Sequence, residues 1–303
     1  MYNRNTIAEA EYNSEAIKPQ IGKLDQILSF LPMYRKSKPT IAILNLTGVI
    51  GRMSAMKSGL SLDSLNQLIE KAFKTKNLTA ICLIINSPGG SPVQSELIAK
   101  RIRTLAAEKK VPIYSFVEDC AASGGYWLAC AGDQIYASAS SVIGSIGVIS
   151  AGFGFTEAIS KLGVERRVYS EGRNKSILDP FMPVQKEDIS IIKKIQKQVH
   201  EHFINYVKER RIGKLTQEDD ILFNGEFWSG NTALDYGLID GLDDMYNFIK
   251  KKYGDVTFKY IGEKHSWIKK KLGIGDQGII KEFSDSLIES VDNKVKFDKF
   301  NIW

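Results

Sequence analysis

The stretch TAICLIINSPGGSPV, from Thr79 to Val93, decides how the rest of this sequence reads. Thr79 to Asn86 is almost wholly apolar, which suits a strand covered on both faces. Asn86-Ser-Pro-Gly-Gly90 then breaks the run, and tandem glycine lets the backbone turn tightly and present its N–H groups. Leu97, Ile98, Ile102 and Leu105 follow at helical spacing, so a helix is expected to run to Glu108. Working outward, Thr40 to Leu46 reads as another buried strand. Ser61 starts a helix in which Leu65, Leu68, Ile69, Ala72 and Phe73 share one face, and Pro112 to Val117 is a third strand. Short apolar strands alternating with amphipathic helices predict an α/β domain with a largely covered sheet.

Past residue 120 small residues dominate. Ala121-Ala-Ser-Gly-Gly-Tyr126 leads into an apolar stretch to Ala131, Ile135 to Ala137 is a short strand, and Val142 to Ser150 is apolar and punctuated by glycine. Val164 to Ser170 is a further strand candidate. Lys186 to Arg211 reads as one long helix with Ile189, Ile192, Val199, Phe203 and Tyr206 on its apolar face. Asn224 to Gly241 is rich in turns, and Asp243 to Tyr253 is a last core helix. Residues 1–38 form a polar lead, either a helical arm or a disordered one. Residues 255–303 carry one weak strand and an amphipathic, Lys-rich end.

The 303 residues suffice for one large domain or two ordinary ones, and 43% hydrophobic with 25% charged residues is the composition of an ordinary globular protein. The net charge of +6 is concentrated late in the chain: residues 250–303 hold twelve Lys against eight Asp and Glu, while the first 249 carry 29 basic and 27 acidic side chains. Basicity is therefore a property of the tail, where Trp267-Ile-Lys-Lys-Lys-Leu272 suits either an anionic membrane surface or a solvated helix end. Nucleic acid is not expected as a partner, because no basic stripe interleaves with aromatics through the core. Cys82, Cys120 and Cys130 form no CxxC pair, so neither a disulfide framework nor a zinc site is expected. A polar lead without an apolar signal segment, and no run long enough to span a membrane, predict a cytoplasmic protein.

Ser123 fits two readings: a nucleophile at a helix start, flanked by small residues that let a carbonyl approach, or an N-capping serine in a close-packed site. A histidine base is poorly supplied. His200 and His202 lie within the long helix and His265 in the tail, which disfavours a Ser-His-Asp triad. Lysine is the alternative, although keeping a lysine neutral near pH 7 costs on the order of 4 kcal/mol of desolvation or positive potential. Lys175, in Gly172-Arg-Asn-Lys-Ser-Ile-Leu-Asp-Pro-Phe181, stands out because apolar and turn residues follow it directly. The loop at Gly89 and Gly90 lacks the Gly-Lys-Ser/Thr ending of a P-loop and the GxGxxG of a dinucleotide fold, so an oxyanion is its better ligand.

Taken in order, these segments resemble the signal peptide peptidase A (SppA) serine proteases, of the Clp protease and crotonase superfamily. Asn86 to Gly90 is similar to that family's oxyanion loop, Ala121 to Tyr126 to its nucleophile motif, and Gly144-Ser145-Ile-Gly-Val148 to the segment that follows. Gly172 to Phe181 resembles the lysine motif, and Trp228 to Ala233 with Tyr236 to Gly241 the closing motif. The resemblance implies a spiral of ββα units over residues 39–253, with an N-terminal arm (1–38) and a C-terminal extension (254–303). It implies Ser123 as nucleophile, Lys175 as general base 52 positions later, and Ser145 as the hydroxyl that orients the lysine. The oxyanion hole would use the N–H groups of Gly89 or Gly90 with that of Ser123. An ATP-independent endopeptidase acting on short, unfolded or membrane-derived peptides follows, without metal or cofactor. So does a homo-oligomeric ring, in which Ser123 is served either by the Lys175 of its own chain or by that of a neighbour. An inactive membrane-associated scaffold is the main alternative, and a crotonase-type acyl-CoA enzyme, for which no carboxylate is evident near the loop, is a weaker one.

Overall fold

The computed structural model describes residues 38–51 and 59–262. The chain divides into two units, residues 1–37 and 38–303, and all described residues belong to the second. The expected N-terminal arm and the basic end of the C-terminal extension lie outside the described residues.

Among the described residues, eight strands form one sheet: β1 (Thr40–Thr47), β2 (Leu78–Ser87), β3 (Ile113–Ala122), β4 (Gln134–Ala137), β5 (Val142–Gly144), β6 (Phe227–Ser229), β7 (Gly241–Leu242) and β8 (Thr257–Ile261). The helices are α1 (Leu62–Phe73), α2 (Pro92–Lys109), α3 (Gly124–Ala129), α4 (Thr156–Lys161), α5 (Lys186–Arg210), α6 (Asp219–Leu222), α7 (Gly230–Asp235) and α8 (Met245–Tyr253). The main path runs β6-β5-β3-β2-β1-β8, with β4 also on β3 and β7 on β4. Every pairing is parallel except β5 with β6.

The unbroken apolar run of β2 is explained by cover on both sides. Ile81, Leu83 and Ile85 face α1, α2 and α3, where Ile69, Ile98, Ile102 and Leu128 are buried. Ala80 and Cys82 join Ile41, Ile43, Tyr114 and Phe116 beneath Met245 and Ile249 of α8. A parallel sheet wrapped by helices permits this pattern, whereas one solvated face would require alternation. Helix starts follow local chemistry. Ser61 and Ser64 form a reciprocal capping box at α1, and Ser91 caps α2 with Pro92 in its first turn.

β3 is the strand that forks. Its first half pairs with β4 from Tyr114 to Val117, and its second half pairs with β5 from Cys120 to Ala122. The fork carries the chain out of β3 directly beside Gly144.

One expectation needs correction. Val164 to Ser170 forms no strand: residues 161–170 are all exposed, and none of the described strands pairs with them. The weak strand expected near the start of the C-terminal extension is β8, which pairs with β1 from Thr257 to Ile261. No helix among the described residues is long and apolar enough to cross a membrane.

The Tyr236–Gly241 segment is fixed by a buried ion pair. Arg211, whose side chain is 2% exposed, donates from Nη1 to Asp240 Oδ2 at 2.6 Å and from Nε and Nη2 to Gly237 O at 2.9 and 2.7 Å. Lys214 Nζ meets Asp240 Oδ1 at 2.6 Å, and the Ile135 N–H donates to Asp240 Oδ2 at 2.8 Å. Burial pushes the Asp240 carboxyl up, but the hydrogen bonds and charges of Arg211 and Lys214 outweigh it and hold the group below its ordinary range. A lowered folded-state pKa means that this stabilisation is present above the usual Asp range and disappears as pH falls through the lower folded value. Asp240→Asn is expected to cost about 3–5 kcal/mol in urea unfolding at neutral pH, since it strands the Arg211 charge. The gap from wild type should narrow in acid.

Candidate active site

β2 ends at the buried Ser87, whose Oγ accepts the Gly89 N–H at 3.2 Å. Gly89 and Gly90 have φ of +106° and +139°, a region that L side chains rarely adopt. Space forbids side chains as well: a Cβ at Gly89 would stand 2.8 Å from Ser123 Cβ, and one at Gly90 would stand 2.0 Å from Ile50 O. Ile50 straps the loop from outside, donating to Gly89 O and accepting from the Ser91 N–H, both at 2.8 Å.

Ser123 follows the forked end of β3 and opens α3. Its φ of 52° and ψ of −124° are sparsely populated for a residue with a side chain, a strain tolerated only where the surroundings enforce it. Enforcement is visible on both sides of the residue. The Ser123 N–H donates to Gly144 O at 2.8 Å, and the Ser123 carbonyl accepts from the N–H groups of Tyr126 and Trp127 at 2.9 and 3.1 Å. The side chain makes no capping hydrogen bond, so the capping alternative raised by the sequence does not hold. Tyr126, fully buried, donates its hydroxyl to Leu238 O at 2.8 Å and ties α3 to the segment held by Arg211 and Asp240.

The N–H groups expected to hold an oxyanion sort into two kinds. Those of Ser123 and Gly89 are engaged, by Gly144 O and Ser87 Oγ. Those of Gly90 and Gly124 donate to no acceptor among the described residues. The two are neighbours, since a Cβ built on Gly124 lies 3.4 Å from Gly90 N. Gly124 is not singled out by the sequence, where the neighbouring serine carries the motif. The signal available was its position at the first turn of a helix, where N–H groups have no intrahelical acceptor.

Ser145 adjoins Gly144 and is half-buried, with φ of 52°. Its N–H donates to Glu226 O at 2.7 Å, and its carbonyl accepts from the Gly147 N–H at 2.9 Å. Ser123, Gly89, Gly90 and the Ser145 turn are thus brought together. Lys175 lies in a stretch (161–175) that is exposed throughout, whereas Ser123 and Ser145 are half-buried. Two segment contacts hold its surroundings, Phe155 N–H to Pro180 O at 2.6 Å and Arg166 to the buried Asp179 at 2.9 Å. Leu162, Tyr169 and Val184 in this region are 76%, 92% and 62% exposed.

Beside Ser123 a small depression is lined by Pro92, Trp127, Val148, Val199 and Phe203. Its walls come from α2, α3, the segment after Ser145, and α5. His200 Nε2 lies 3.0 Å from Ile146 O and His202 Nε2 lies 3.3 Å from Glu96, so neither histidine is spent on Ser123. The thiols are unsuited to nucleophilic work. Burial pushes Cys82 and Cys120 up from the usual thiol range and Cys130 to about 11.

The family model of peptidase family S49 matches residues 106–257, a span from the end of α2 to the start of β8 that contains Ser123, Ser145 and Lys175. The chain belongs to peptidase family S49. Among its relatives, the Na(+)/H(+) antiporter NhaA of Brucella melitensis is 51% identical over 251 residues, 82% of this chain and 34% of that protein. Protease 4 of Haemophilus influenzae is 29% identical over 214 residues, 70% of this chain and 34% of that protein. The chain therefore spans about a third of the length of both. A solved mutant of the 1510-N membrane-bound stomatin-specific protease superposes with a TM-score of 0.47 at 17% identity, covering 75% of this chain and 100% of that one. The forked sheet with its Gly-Gly loop and Ser-Gly-Gly helix start is the form the S49 fold takes here.

Gly89→Ala tests the packing of loop against serine. With its Cβ 2.8 Å from Ser123 Cβ, the variant should remain folded, while labelling of Ser123 by a fluorophosphonate slows about 100-fold, the scale of an ångström-sized misplacement. Labelling at the wild-type rate would contradict the geometry.

Proposed function

We propose that this S49 protein is an ATP-independent serine endopeptidase with a Ser-Lys dyad. The observation that carries the reading is the pairing of an uncapped, strained Ser123 with the unengaged N–H groups of Gly90 and Gly124. The Lys175 amine takes the proton from Ser123 Oγ as the oxygen attacks a peptide carbonyl, and the tetrahedral oxyanion rests on those two N–H groups. Lys175 returns the proton to the departing amine. Water then hydrolyses the acyl ester by the reverse of these proton transfers, freeing Ser123. Ser145 orients the lysine amine.

The apolar depression beside Ser123 supports substrates that are short, unfolded or membrane-derived peptides with a small apolar side chain next to the cleaved bond. The exposed stretch bearing Lys175, with Leu162 and Tyr169 open beside it, supports a homo-oligomeric ring in which the lysine reaches a neighbour's Ser123. The catalytic domain in this reading is residues 39–253 with β8 attached. The protein is cytoplasmic or peripheral to a membrane, with the part of the 254–303 extension that follows β8 as its membrane-facing segment.

Ser123→Ala and Lys175→Ala should each lower peptide turnover by about 10³-fold or more. Mixed assemblies of these two silent variants should regain activity, because intact Ser123 and intact Lys175 can then meet across an interface. Full activity in either single variant would defeat the dyad, and silence in verified mixed assemblies would return the lysine to its own chain. For the extension, binding to anionic vesicles should fall when the chain is ended at Gly262. Equal co-sedimentation of the two forms would reject a tail-driven contact.

A further inference from the structure

His200 is left unused by the dyad, yet it contacts the turn on which the dyad depends. That turn, Gly144 to Gly147, is held in an unfavourable shape, with φ of +118° at Gly144 and +52° at Ser145. A serine in the left-handed region stays there only when its neighbours fix it. Beside the ladder pairing of β5 with β3 and β6, the turn is held from outside by the Ser123 N–H to Gly144 O at 2.8 Å, the Ser145 N–H to Glu226 O at 2.7 Å, and the ring of His200 to Ile146 O at 3.0 Å. Among these bonds of the described residues, the last uses a side chain.

We propose that His200 is a positioning residue for the serine site: its Nε2–H staples α5 to Ile146 O and so sets the Ser145 turn and the carbonyl that holds Ser123. The inference rests on Ser123 being the nucleophile. A carbonyl oxygen only accepts, so the bond requires the proton on Nε2, and this is met both by the neutral Nε2–H tautomer and by the imidazolium. The staple therefore survives protonation of the ring, unlike a general base, which works only when unprotonated. The same bond joins the two walls of the depression, because Val199 and Phe203 flank His200 on α5 while Gly147 and Val148 follow Ile146.

The test compares full-length wild type, His200→Gln and His200→Leu. Glutamine can offer an amide N–H at nearly the reach of Nε2, and leucine offers none. Peptide turnover and the rate of Ser123 labelling by a small fluorophosphonate should both fall about tenfold in His200→Leu, the order expected for one lost positioning bond. His200→Gln should restore both to within about threefold, with the pH–rate profile unchanged in shape. Wild-type rates in His200→Leu, or His200→Gln as slow as His200→Leu, would overturn the proposal. A readout independent of how the variants fold is the ¹⁵N signature of the ring in wild type, where the neutral form should carry its proton on Nε2. A proton on Nδ1 would overturn it too. Turnover that persists in Ser123→Ala would instead overturn the reading on which the inference rests.

Discussion

A single backbone bond, from the N–H of Ser123 to the carbonyl of Gly144 at 2.8 Å, organises the site. It exists because β3 divides its pairing, giving its first half to β4 and its second to β5, so that the chain leaves the sheet already alongside the Gly144 turn. The bond removes the Ser123 N–H from the pool of free donors and twists the residue into its strained conformation. The next N–H, that of Gly124, is thereby turned toward the Gly-Gly loop. The hydroxyl stands uncapped at the start of α3, and the donors near it are Gly124 and Gly90. Preorganised donors of this kind stabilise developing charge without reorganising at the moment of reaction.

The rest of the domain resists relaxation of that strain. α3 is only six residues long and cannot hold its own orientation, so it is fixed at both ends. At its start the glycines pack against Ser87 and Ser95, and at its end Arg210 donates to the carbonyls of Cys130 and Gly132 at 2.8 and 3.0 Å. Tyr126 carries the load sideways to Leu238, in the segment closed by the Arg211–Asp240 pair. α5 contributes twice, with Arg210 beneath α3 and His200 on the Ser145 turn. A helix with a broken apolar face and charged residues at intervals is what such a strut requires.

Much of this was readable without coordinates, for identifiable reasons. The strands β1 to β3 were legible because burial on both faces removes polar residues from them, and α1 and α2 because their apolar spacing and capping serines agree. Ser123 and the glycine loop could be grouped because small residues cluster where backbones approach closely, and Ser145 joined them only through the resemblance to the SppA family. What could not be read was the assignment of donors. Whether Ser123 or Gly124 has a free N–H depends on a partner, Gly144, brought in by a strand fork that no local pattern encodes. The Val164–Ser170 stretch misled for a related reason: β-branched residues such as Val164 and Val168 make a strand only where a second strand lies beside them, and here both are exposed.

The central claim is that Ser123 is the nucleophile and that the N–H groups of Gly90 and Gly124 receive the negative charge. The most direct measurement is a crystal structure of the full chain after reaction with a peptidyl phosphonate. The account predicts a covalent bond from phosphorus to Ser123 Oγ, with the phosphonyl oxygen about 2.7–3.1 Å from both Gly90 N and Gly124 N. An adduct on another residue, or a phosphonyl oxygen turned to solvent with those two N–H groups empty, would contradict it.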